Sequence, residues 1–252
     1  MAGHSQFANI KHRKGAQDKK RASMFTKAGR EIIIAARLGG PDPEYNPRLR
    51  AAITAARAVN MPKDKIEYAI KKGSGQLGGD ENYEEIRYEA YAPGGIALII
   101  EAATDNRNRT ASEVRSTLTK GGGNLGETGS VGFMFDRIGL INYPADKAGA
   151  EEMFEAALEA GAADCVSDKN IHEITCENTS LAEVTEYLRK KFGDPEVSKL
   201  AWKPKNTIEI DFETAQKVLD LIDTLDEDDD VQSVYANYEI SDEVAKKLEN
   251  AG

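Results

Sequence analysis

The chain has 252 residues, of which 40% are hydrophobic and 7% aromatic, and 33 Lys+Arg against 43 Asp+Glu give a formal net charge of −10. That length accommodates one large domain or two to three small ones, each able to bury a core. The longest apolar runs, such as Ile96-Ala97-Leu98-Ile99-Ile100, are strand-sized and far short of the ~20 residues of a membrane helix, which argues against a membrane-spanning protein.

The charge is unevenly spread. Residues 1–79 hold 16 Lys+Arg and 6 Asp+Glu, net +10, whereas the remainder hold 17 and 37, net −20. The positive end opens with a basic arm, residues 1–21, containing the run Asn9-Ile10-Lys11-His12-Arg13-Lys14-Gly15-Ala16-Gln17-Asp18-Lys19-Lys20-Arg21. A chain this acidic needs no such cluster for solubility, so the cluster reads as meeting nucleic-acid phosphates. What counts is the charge of the part that binds, and that part is basic. His4, Lys11, His12, Arg13, Lys14, Lys19, Lys20 and Arg21 are the candidate contacts, and Phe7 adds a ring able to stack on an unpaired base. With few apolar side chains the arm is expected to be mobile until it finds a partner. It has no apolar stretch before a small-residue cleavage site, so no secretory signal is expected and a cytoplasmic setting is.

Helical periodicity follows. Phe25, Ala28, Ile32 and Ala35 form one stripe, Leu49, Ala52, Ile53, Ala56 and Val59 a second, and Ile66, Ala69 and Ile70 a third. Gly39-Gly40-Pro41 stops the first helix, Asn46-Pro47 caps and starts the second, Pro62 opens the third and Gly73 ends it. Arg50, Thr54 and Arg57 recur on the side of the second helix away from its apolar stripe, giving a basic outer face; Arg50 and Arg57 join the candidate contacts. Residues 22–79 thus form a three-helix bundle ending in the Gly-rich linker Gly73 to Gly79.

Strands then alternate with helices. A hairpin is expected from Tyr83 to Ala92 and Ile96 to Thr104 around Pro93-Gly94-Gly95, then a helix from Asn108 to Lys120 and a strand from Ser130 to Asp136. Strand 138–143, helix 146–160, strands 164–166 and 171–176, helix 181–192 and strand 199–203 spell β-α-β-β-α-β, the split order of ferredoxin-like folds. Strand 207–211, helix 214–225 and strand 231–238 supply β-α-β, which the strand at 96, the helix at 108 and the strand at 130 would complete. The expected fold class is therefore α+β: a three-helix bundle followed by two ferredoxin-like α/β sandwich domains, one inserted in the other. Residues 80–136 plus 205–240 make the discontinuous domain and 137–204 the insert.

Few motifs point to chemistry. Cys165 and Cys176, the only cysteines, are too few for a disulfide framework or a four-thiolate zinc site and read as half-buried strand residues. Gly121-Gly122-Gly123-Asn124-Leu125-Gly126 formally satisfies the dinucleotide pattern but leaves a helix and enters a strand, and Glu127 stands where a phosphate-binding loop needs lysine. It reads as a tight turn that lets backbone approach a partner. Asp226-Glu227-Asp228-Asp229-Asp230 reads as a solvated charge run rather than a metal site. His172 stands alone in a strand, so no nucleophile, base and orienter can be assembled and no enzyme is expected. Thr104-Asp105-Asn106-Arg107-Asn108-Arg109-Thr110 lies between strand and helix, where Asn and Thr suit capping and a helix N-terminus attracts anions. Arg107 and Arg109 are candidates to hold a phosphate there.

Five segments resemble the YebC/PmpR family, which includes the mitochondrial translational activator of cytochrome c oxidase. They are Gly3-His4-Ser5 with Ala8-Asn9-Ile10-Lys11-His12-Arg13-Lys14, then Asn60-Met61-Pro62-Lys63-Asp64, Tyr91-Ala92-Pro93-Gly94-Gly95, Thr104 to Thr110, and Gly122-Gly123-Asn124-Leu125-Gly126-Glu127-Thr128-Gly129-Ser130. Gln6-Phe7 departs from the Lys-Trp of many members, losing a charge and keeping an aromatic. The resemblance implies a cytoplasmic, non-enzymatic nucleic-acid-binding protein, widely described as a transcriptional regulator, and for some members a translation factor at the ribosome. The expected function is a non-catalytic regulator of gene expression, with DNA-binding transcriptional regulation first. The alternatives are a ribosome-associated translation factor binding ribosomal or transfer RNA, and a protein-interaction scaffold. No catalytic residue, metal, cofactor, small-molecule substrate or membrane partner is expected.

Overall fold

The computed structural model describes residues 17–78 and 82–251, and side chains from Ala22 to Glu249 within them. The architecture is α+β, with three N-terminal helices followed by antiparallel sheets that carry further helices. Two compact units divide it, one of residues 17–23, 82–135 and 204–251, the other of 24–78 and 136–203.

The helices are α1 (Gln17–Gly39), α2 (Pro47–Ala58) and α3 (Lys63–Gly73). Their stripes meet as expected, with Ile32, Ala35, Leu49, Ile53, Ala56 and Ile66 among the buried residues of one core. Helix α1 starts earlier than the apolar stripe predicts, so the backbone of residues 17–21, assigned above to a mobile arm, is helical. Asn46 fixes the α1–α2 corner: its Oδ1 accepts from Leu49 N at 3.0 Å, and its Nδ2 donates to Ala35 O and Gly40 O at 2.8 Å each. Gly73 ends α3 against α1, where a Cβ would sit 2.3 Å from Ile33 O, so a side chain there requires the helices to part.

The other elements are β1 (Glu84–Ala92), β2 (Ile96–Thr104), α4 (Arg107–Lys120), β3 (Asn124–Leu125), β4 (Phe135–Pro144), α5 (Ala150–Glu159), β5 (Asp164–Ser167), β6 (Ile171–Glu177), α6 (Leu181–Phe192), β7 (Val197–Pro204), β8 (Ile208–Glu209), α7 (Phe212–Asp226), β9 (Val231–Ala236), β10 (Tyr238–Glu239) and α8 (Asp242–Ala251).

Within the first unit the sheet order is β3-β1-β2-β9. β1 and β2 form an antiparallel hairpin in register from Glu84↔Thr104 to Ala92↔Ile96, turning at Gly94 (φ 77°) and Gly95 (φ 73°). β2, nearly all buried, is an apolar run broken only by half-buried Glu101 before its closing Thr104, as suits a central strand. β9 lies antiparallel on its other side, Leu98 opposite Ala236. Leu98, Ile100, Val114, Leu118, Val218 and Leu221 share the core beneath α4 and α7.

Two expected strands differ here. Residues 130–136 begin as a loop and a 3₁₀ turn at Gly132–Met134, because the N–H groups of Val131 and Gly132 donate to a carboxylate rather than to a neighbouring strand. Of 207–211, only Ile208–Glu209 is a strand, and it pairs in parallel with Tyr238–Glu239. The sheet position expected for it is filled by β1, which pairs with β2 on one side and β3 on the other.

The second unit's sheet has order β5-β6-β4-β7, the split β-α-β-β-α-β arrangement. Ile141, Tyr143, Ile174, Cys176, Met153 and Leu188 lie in the core that α5 and α6 close.

Candidate nucleic-acid interface

The basic residues do not share one fate. His4, Lys11, His12, Arg13 and Lys14 lie outside the described residues, as do the side chains of Lys19, Lys20 and Arg21. Arg50 is committed within its own unit: Nη1 donates to Pro43 O at 2.9 Å and Nη2 lies 3.4 Å from Glu186 Oε2. Arg189 grips that same carboxylate through Nε and Nη2, both at 3.0 Å, and holds its pKa below the usual carboxylate range. Arg48 forms a fork on Glu31 at 2.7 and 3.0 Å. Arg57 is exposed, with no ion pair among the described residues.

The Thr104-to-Thr110 segment is first of all a lock. Asn106 caps α4, its Oδ1 accepting from Arg109 N at 3.1 Å. Asp230, 4% exposed, accepts from Thr104 Oγ1 at 3.0 Å, Thr110 Oγ1 at 2.6 Å and Arg109 Nη2 at 2.7 Å. Arg109 also reaches Asp105 at 2.8 Å, and these two carboxylates push its pKa further up. Its charge is therefore paired within the protein, while the side chain remains 42% exposed. Arg107 is the more exposed member, 3.4 Å from Glu84. The acidic run is correspondingly not simply solvated, since Asp230 is a buried acceptor and Asp228 Oδ1 takes the Asp230 N–H at 2.8 Å. Glu113 places a carboxylate oxygen near those of Asp228 and Asp230, within 4.8 Å. Burial first, then Asp228, raise the Glu113 pKa.

The glycine segment approaches the protein's own backbone. A Cβ on Gly123 would meet Tyr91 O at 2.4 Å, and Gly126 N donates to Glu89 O at 2.8 Å. Beneath the loop lies Glu89, 2% exposed, whose carboxylate accepts from the N–H groups of Gly129 at 3.0 Å and of Val131 and Gly132 at 2.7 Å each. Burial alone would raise its pKa; the three N–H donors and Arg87 at 3.3 Å outweigh burial and hold it below the usual range.

Histidine and cysteine have structural surroundings. His172 is buried, with Nε2 3.1 Å from Ala148 O and Nδ1 2.7 Å from Ser167 Oγ. Since a carbonyl only accepts, Nε2 carries a proton toward Ala148 O. Burial pushes both cysteine thiols up, the direction of inert packing residues.

One basic feature was not singled out from the sequence. On α3, Lys65, Tyr68 and Lys72 recur at i, i+3 and i+7, with Tyr68 farthest from buried Ile66 and Ala69 and the lysines, of which Lys72 is half-buried, on the flank between Tyr68 and Ala69. Tyr68 is 54% exposed, and Lys72 Nζ lies 5.9 Å from its ring centroid. Of the helix's two acids, Glu67 pairs with Lys63 at 3.7 Å, and Asp64 precedes Lys65 one turn before Tyr68. The signal was available as a Lys–aromatic–Lys spacing beside the apolar stripe.

A family model described as the TACO1/YebC protein N-terminal domain matches residues 5–76, and one for the TACO1/YebC second and third domain matches residues 83–238. The chain belongs to the TACO1/YebC family. Among solved structures, a conserved hypothetical protein of Aquifex aeolicus is similar at 51% identity, covering 94% of this chain and 98% of that one with a TM-score of 0.85. The model for the second and third TACO1/YebC domains carries a transcription-regulator name. No helix among the described residues is long and apolar enough to cross a membrane.

Proposed function

We propose that this chain is a non-catalytic, cytoplasmic nucleic-acid-binding regulator of gene expression, with the arm (1–21) and the helical bundle (22–79) as its binding part. The observation that carries the reading is the division of charge, +10 before residue 80 and −20 after it. A polyanion is attracted to the first part and repelled by the second. The acidic ferredoxin-like domains, 80–136 with 205–240 and the inserted 137–204, repel phosphate and would be available to engage a protein. Transcriptional regulation on DNA is the reading favoured by the family model's name. A second reading, a translation factor on ribosomal or transfer RNA, is favoured by the exposed Tyr68 between lysines, because flat aromatic surfaces suit unpaired bases.

The test is crosslinking in cells followed by sequencing of both bound DNA and bound RNA. Enrichment at discrete promoters supports transcription, and enrichment on ribosomal or transfer RNA supports translation. Absence of both, with no nucleic acid bound by purified protein at physiological salt, overturns the proposal in favour of a protein-interaction scaffold.

A further inference from the structure

The geometry points to a second contact strip besides the arm: the Lys65–Tyr68–Lys72 face of α3 receives an unpaired nucleic-acid strand, with a base stacked on Tyr68 and flanking phosphates on the lysines. This inference rests on the nucleic-acid reading above and deepens it by naming a surface and a strand state.

Three observations carry it. Tyr68 is 54% exposed although Ile66 and Ala69 beside it are buried, so the ring does not serve the bundle core. Helical spacing sets Lys65 and Lys72 about 10 Å apart along the axis with the ring between them, so one strand can cross all three. The remaining exposed aromatic side chains lack the lysines that Tyr68 has one turn to either side, although Asp64 also lies one turn before Tyr68. Tyr45 follows Glu44 and lies near Asp42, Phe154 stands between Glu151 and Glu155 on α5, and the Tyr187 hydroxyl donates to Glu159 at 2.8 Å. Phe133 lies in the loop tied to Glu89 and follows Glu127. Only on α3, among the described residues, does an exposed ring stand between two lysines on one helical face. A duplex hides its base faces, so an aromatic platform rewards a strand whose bases are free.

The test uses the full chain and fluorescence anisotropy with a labelled 12-nucleotide single-stranded RNA, the same sequence as DNA, and the two corresponding duplexes. Wild type is expected to prefer the single strands. Tyr68→Ala is expected to weaken single-strand binding about 10-fold and duplex binding little, whereas Tyr68→Trp, which keeps a stacking face, retains it. Lys65→Glu with Lys72→Glu is expected to weaken all binding and to lower its salt dependence, and Lys147→Glu on the acidic side serves as the charge control. Thermal melts check folding, and should Tyr68→Ala melt early, Tyr68→Trp and the lysine pair still decide. A wild-type protein that binds no nucleic acid overturns the proposed function itself. A wild-type protein that binds while the Tyr68 and lysine variants stay within twofold of it, or that prefers duplex, overturns this inference and leaves the broader reading standing. Preference between the RNA and DNA single strands names the source.

Discussion

Glu89 shows how one side chain fixes a functional-looking loop from within. Its carboxylate takes three backbone N–H groups from residues 129 to 132, forty and more positions along the chain. Glu89→Gln turns one acceptor oxygen into a donor facing other donors. Unfolding in urea is expected to show a loss of about 2–3 kcal/mol; an unchanged midpoint would mean the loop is held otherwise. Because the folded pKa lies below the unfolded value, this contribution is complete above the ordinary carboxyl pKa of about 4.3 and disappears as pH falls through the folded value. Acid titration of stability is therefore expected to be shallower for Glu89→Gln than for wild type. Arg107 and Arg109 make a second comparison. Arg109→Ala is expected to lower the thermal midpoint because it strips a partner from buried Asp230, while Arg107→Ala, losing only an exposed pair, leaves the midpoint in place. Equal effects would show that the Asp230 lock does not depend on Arg109. Neither Glu89 nor Asp230 was legible as a buried acceptor in the sequence, since their donors come from distant segments that local patterning does not reach.

Elements were most legible where apolar period and punctuation agree. Helix α6 spans the residues its pattern predicts, and α2 starts at the expected Asn46-Pro47 boundary. Legibility failed where strand-like composition met other partners. Residues 130–136 have the apolar content of a strand, yet the N–H groups of Val131 and Gly132 go to Glu89, and residues 207–211 lose their sheet position to the nine-residue register of the β1–β2 hairpin. α8 lies beyond the elements expected from the pattern, although Val244 and Leu248 at i and i+4 pack on the core. Asn46 offers the element-scale test. Asn46→Ala removes both the cap of α2 and the two donations that tie it to the end of α1, and is expected to cost about 2 kcal/mol in urea melts. Asn46→Asp keeps the cap acceptor but loses the donors, so it should fall between wild type and Asn46→Ala. Equal losses for the two variants would assign the effect to the donations alone.

At the scale of the whole molecule, charge is sorted along the chain rather than balanced within it, and the structure narrows which cations remain for a partner. Arg48, Arg50 and Arg109 are drawn into internal pairs, whereas Arg57, Lys65 and Lys71 have no ion pair among the described residues. The proposed nucleic-acid surface, built from the second group with Lys72 and the arm, would work by displacing counterions, so affinity should follow salt as a power law. With about six phosphates engaged on a single strand, a fourfold rise in salt is expected to weaken binding by between two and three orders of magnitude. Lys65→Glu combined with Lys72→Glu should make that slope shallower, since fewer counterions are released. Arg50→Ala should leave the slope unchanged, because its guanidinium is already turned toward Pro43 O and Glu186. A slope altered as much by Arg50→Ala as by the lysine changes would show that the internal pairs open on binding and that the sorting of cations seen in the free protein does not describe the bound one.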